Sequence, residues 1–256
     1  MPGCCHGTIP RLAISGGYFT AYLPRSPEVM TLMHVRTLLA MAWLLCAWLL
    51  PAIVFGEDFS GLQPLQRGLS AGLATLPPHS HLLLDREQIE QFLTALDGSP
   101  PDWAQLYGHG HHDPGHDERL FALNRERDAG REGKEPLQWL VTFSWLGELS
   151  RFDEETGGFR VALGPRFTRT SWGEVRFKHE DLPATLIALA GDATADLKAG
   201  IQRGERVEID VLMSGRLIPE ESLVYDFSHE AEGLGLIMPV VRIEAVAFVL
   251  PVESKR

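Results

Sequence analysis

Four of the chain's ten histidines fall inside the run HGHHDPGHDE, residues 109–118. His109, His111, His112 and His116, with Asp113 between them, offer imidazole nitrogens and a carboxylate, a donor set suited to zinc, copper or nickel. His112 and His116 stand four apart, which would place both on one side of a helix, but Pro114-Gly115 interrupts any helix between them. Ligands on such a stretch gain an ion only by ordering a loop, at a cost in conformational entropy. The expectation is a solvated polar loop that takes up zinc, copper or nickel only weakly, and the alternative is a specific metal site.

A second group lies at residues 220–232, where Glu220, Glu221, Asp226, His229 and Glu230 supply carboxylates and one imidazole. Such residues can perform general acid–base chemistry, which would suit a hydrolase, or they can simply keep an acidic protein soluble. Arg166 and Arg169 stand near Trp172 and suit a small anion beside an aromatic ring. GxSxG, P-loop, GxGxxG and HExxH motifs do not occur. An enzyme is therefore the less favoured class.

Position in the cell is written more plainly. MHVRTLLAMAWLLCAWLLPAIVFGED, starting at Met33, has a short basic flank at Arg36 and an uncharged run over residues 38–55. Pro51 ends the apolar helix, and Val54 and Gly56 are residues that signal peptidase accepts. Residues 33–56 thus read as a signal peptide cleaved before Glu57. The alternative is a retained membrane anchor over residues 38–55. Residues 1–32 precede the basic flank and read as a mis-called leader.

All three cysteines (Cys4, Cys5 and Cys46) lie before Glu57, so the exported chain has neither a thiol nucleophile nor a disulfide. Removing Arg11, Arg25, Arg36 and Glu28 as well leaves 20 basic against 33 acidic residues, a net charge of −13. Such a chain repels nucleic acid, and it meets a membrane only if the apolar segment is kept.

Two textures follow. Residues 57–134 read as a helical segment: Leu62, Leu65, Leu69, Leu73 and Leu76 recur at helical spacing, and Asp85 with Gln88 forms a capping box before Ile89, Phe92, Leu93 and Leu96. Residues 135–252 alternate with period two. Strands are expected around 137–145, 159–163, 175–177, 207–213 and 241–247, with a helix over 183–203 and a short extra strand at 223–225. Val141, Phe143, Val161, Phe177, Val207, Ile209, Val211, Ile243 and Ala245 are expected to face inward.

The fold class is therefore α+β, mostly β in the C-terminal half. The order β-β-β-α-β-β resembles that of an OB-fold, a five-stranded barrel, across roughly 45% of the chain, with "Gly-Glu-Leu" at 147–149 and "RGERVEID" at 203–210 matching its texture. The resemblance carries over no functional residue. It implies that the connector carrying Glu220 to Glu230 helps shape a ligand face. The reading reached is an exported, periplasmic or secreted binding or assembly module, its partner a protein or small molecule. A periplasmic metal-binding protein and a hydrolase are the alternatives.

Overall fold

The computed structural model describes residues 61–108, 113–228 and 233–252. The leader, the cleavage point, His109, His111, His112, His229 and Glu230 lie outside those residues.

Alternating apolar residues on long strands can bury one side only if the sheet curls or is covered, and here it does both. Six strands close on themselves. β1 (Leu62–Arg67) pairs with β8 (Ile187–Leu189), then follow β4 (Gly158–Gly164), β3 (Leu140–Asp153), β9 (Val207–Leu217) and β11 (Gly235–Leu250), which pairs back with β1. β1 is parallel to both its neighbours, and the other four pairings are antiparallel. The result is an α+β protein built on a closed, mixed six-stranded barrel. Val141, Phe143, Phe159, Ile209, Val211, Met213, Val241 and Phe248 fill it.

Four short strands widen the sheet: β2 (His81–Leu82), β5 (Thr168–Arg169), β6 (Glu174–Val175) and β7 (Lys178–Glu180), while β10 (Leu223–Phe227) forms a hairpin with the start of β11. Helix α1 (Leu69–Ala74) lies on the outside of β9 and β11, where Leu73 and Leu76 meet Leu212, Ala247 and Val249. Gly72 permits the approach, since a Cβ there would stand 2.2 Å from Val249 Cγ2. Helices α2 (Arg86–Asp97), α3 (Trp103–Tyr107) and α4 (His116–Arg131) form a cap on the β10–β11 hairpin, and α5 (Thr194–Gln202) connects β8 to β9.

Several expectations need correction. Leu62–Arg67 is a strand, not the start of a leucine-faced helix. Its backbone completes the barrel seam between β8 and β11, and those ladder bonds outweigh the helical spacing of its side chains. Leu65 packs on the barrel core, while Leu62 and Leu69 stay exposed. Ile187–Leu189 is likewise a strand where a helix was expected, so the helix shrinks to Thr194–Gln202. A short apolar run has no decisive period, and its place between β1 and β4 settles its form.

Val175 and Phe177 are buried, but only Val175 lies in a strand, the two-residue β6 outside the six-strand circuit. Ala245 does not face inward. A register shift between Ile243 and Ala245 reverses the alternation, so Val246 and Phe248 point inward while Ala245 packs with the α1 cluster. The other expected inward residues do lie in or against the core.

Candidate ligand-binding face

The outer side of β3, β4 and β9 is open where α1 does not reach. Glu148 faces Ala162 on β4 and Glu208 on β9, and Leu146 faces Gly164 and Asp210 in the same way. Ala162 and Gly164 are too small to fill their share of the surface. A hollow of about 370 Å³ results, bounded at its far side by Pro251. That volume suits a small ligand or a short stretch of polypeptide. At its floor Leu146 leaves 48% of its surface in water, while Leu149, three residues on in the same strand, is buried.

Two ion pairs rim the hollow. Arg166 Nη2 bonds Asp210 Oδ1 at one end. At the other, Arg206 places Nη2 2.7 Å and Nε 3.2 Å from Glu148 Oε2. Those hydrogen bonds hold the Glu148 carboxyl below the usual carboxylate range and push the Arg206 guanidinium up. Glu208 adds a third carboxylate, so the rim carries one net negative charge. The arrangement offers an apolar floor, fixed polar edges and no nucleophile–base pair.

The structure distributes the residues singled out in the sequence. Asp113 accepts from Arg119 Nη2 and from the Gly115 amide, both at 2.9 Å. His116 is the first residue of α4 and stacks on Phe227 with ring centroids 5.1 Å apart. Both therefore belong to the helical cap. Among the described residues no group of three His, Cys, Asp or Glu is placed to hold a metal ion.

Glu220 and Glu221 are exposed on a single 3-10 turn, and Asp226 accepts from the neighbouring Phe227 amide at 2.8 Å. Arg169 is exposed on β5 opposite Glu174. Trp172 is only 3% exposed and packs in the core, while its carbonyl accepts from Trp103 Nε1. The Trp172 ring thus presents no face to a ligand. Of the expected set, Arg166 is the residue that lines the hollow.

Leu146, Glu148, Ala162, Arg206 and Asp210 were missed. One signal was available: in the run FSWLGEL, Leu146 is an apolar residue on the polar phase of a period-two strand. Among the described residues no helix is long and apolar enough to cross a membrane. In comparisons with known proteins, no family model, no curated protein and no solved structure matches this chain.

Proposed function

We propose that this protein is an exported, non-enzymatic binding or assembly module whose ligand face is the outer hollow of β3, β4 and β9. One observation carries the reading. α1 covers the outer apolar residues of β9 and β11, whereas Leu146 is left exposed between the Arg166–Asp210 and Arg206–Glu148 pairs. An uncovered apolar floor with a polar rim is the ordinary anatomy of a recognition site. The signal-peptide layout of residues 33–56 supports export into the periplasm or medium.

The barrel supports the OB-like reading in a modified form. Without β1, the remaining strands follow the order β3-β4-β8-α5-β9-β11, and β1 is a sixth strand laid into the seam between β8 and β11.

The test uses a photo-crosslinking residue at position 162, with position 196 on α5 as control, in exporting cells. A discrete adduct from position 162, lost on Leu146→Arg, is expected. Equal labelling from both positions would sink the reading. N-terminal sequencing of the same material should begin at Glu57.

A further inference from the structure

The fold buries, wholly or partly, five arginines among the described residues: Arg119, Arg127, Arg131, Arg166 and Arg176. Four of them hold an oxygen acceptor. Arg119 has Asp113, Arg127 has the Asp97 carbonyl, Arg131 has Asp97 and Asp128, and Arg166 has Asp210. Arg176 has none. Its Nη2 meets only the Met238 thioether, at 3.3 Å, and its Nε is buried with no hydrogen-bond partner. Its guanidinium carbon lies 5.9 Å from the centre of the Phe167 ring, and Phe167 is 40% exposed.

A thioether is a weak acceptor, so at Nε and Nη2 the Arg176 guanidinium recovers little for the water it gives up; Arg166 Nε is buried unpartnered too, but its Nη2 has the Asp210 carboxylate. Shortage of acid is not the reason, since the chain after residue 56 has 33 acidic residues for 20 basic ones. Residues that break a local rule of stability without compensation are commonly those kept for function. A guanidinium donates two parallel hydrogen bonds to a carboxylate, and the ring beneath it offers a flat apolar seat.

We infer that Arg176 and Phe167 form a binding site for a carboxylate carried on a flat apolar group. Met238 backs the guanidinium and holds it over the ring. This site is separate from the hollow on β3, β4 and β9 and does not rest on that reading.

The full exported chain, labelled with ¹⁵N, is titrated with benzoate, acetate and inorganic phosphate while the arginine Nε–Hε resonances are followed. Arg176→Lys assigns the Arg176 signal by its loss. Benzoate should shift that signal saturably, with a dissociation constant of order 1 mM. Acetate should bind about tenfold more weakly, because it leaves Phe167 uncovered, and Phe167→Ala should remove the difference.

Without benzoate, Arg176→Met should melt no lower than the native protein, and benzoate should no longer raise its melting temperature. Ala162→Trp, which fills the hollow, should leave benzoate binding intact. An Arg176 signal that benzoate does not move, or one that phosphate moves at lower concentration than benzoate, overturns the assignment. So does Arg176→Met if it unfolds the chain while Phe167→Ala leaves benzoate binding unchanged.

Discussion

Arg131 and Asp97 face each other inside the helical cap, with Nη2 2.6 Å from Oδ2 and Nε 2.7 Å from Oδ1, both side chains only 1% exposed. The last residue of α4 is thereby fixed to the last residue of α2. Arg131 also reaches Asp128 and the Leu223 carbonyl, and the Tyr225 hydroxyl donates to Asp97 Oδ2. Burial, with the Asp97 charge beside it, pushes the Tyr225 phenol well above its ordinary ionisation range, so it remains a donor. Nearby, Asn124 bridges both backbone groups of Tyr225 at 2.9 Å. Helices and hairpin are joined by a fully partnered polar set.

Breaking one half of that pair leaves a buried charge alone. Asp97→Ala should cost about 3–5 kcal/mol, whereas Asp97→Leu combined with Arg131→Met should cost much less. Urea unfolding of the single and double variants checks this. Equal losses in both would show that the pair stabilises beyond its own burial cost.

Gly235 and Trp103 should be strongly coupled. A Cβ on Gly235 would lie 1.9 Å from Trp103 Cε2, so Gly235→Ala must expel the indole and its hydrogen bond to the Trp172 carbonyl. A loss above the usual 1–3 kcal/mol of overpacking is expected, part of it recovered by adding Trp103→Leu. Additive losses in the double-mutant cycle would contradict the placement of α3.

Stability should fall in mild acid through His179. Burial beside the edge of Trp145 pulls its imidazole below the ordinary value of 6.5. Below that pH the unfolded chain takes up a proton that the folded one resists, so folding free energy is lost as pH drops from about 6.5 toward the native value. His179→Gln should flatten this part of the pH–stability curve. A curve unchanged by the substitution would remove His179 as its source.

Ile209 lies 2% exposed on β9, opposite Gly147. Ile209→Asp places an unpaired carboxylate in the barrel at a cost of several kcal/mol, of the order of total stability. Circular dichroism should show no cooperative unfolding. A folded variant would contradict the register of β9.

Some of this architecture is set locally and can be read along the chain. The Asp85–Gln88 capping box starts α2 because each side chain bonds a backbone group three residues away, and the face of Ile89, Phe92, Leu93 and Leu96 follows from helical pitch. Val141 and Phe143 alternate into the barrel for the same kind of reason, the two-residue period of a strand. Other features depend on partners distant in sequence. Leu62–Arg67 becomes a strand because β8 and β11 each offer it a free edge, and Ile187–Leu189 does so because β1 and β4 flank it. Ala245 changes sides through a bulge set by its pairing with β9. The hollow around Leu146 exists because α1 stops short of it and because Ala162 and Gly164 happen to pair beside it. Arg176 is written no differently from the other arginines; its lack of an oxygen partner arises only from what the fold packs around it. Hydrogen bonds within a turn or two are encoded by neighbours, whereas edges, coverage and unmet polar groups arise from segments that meet only on folding.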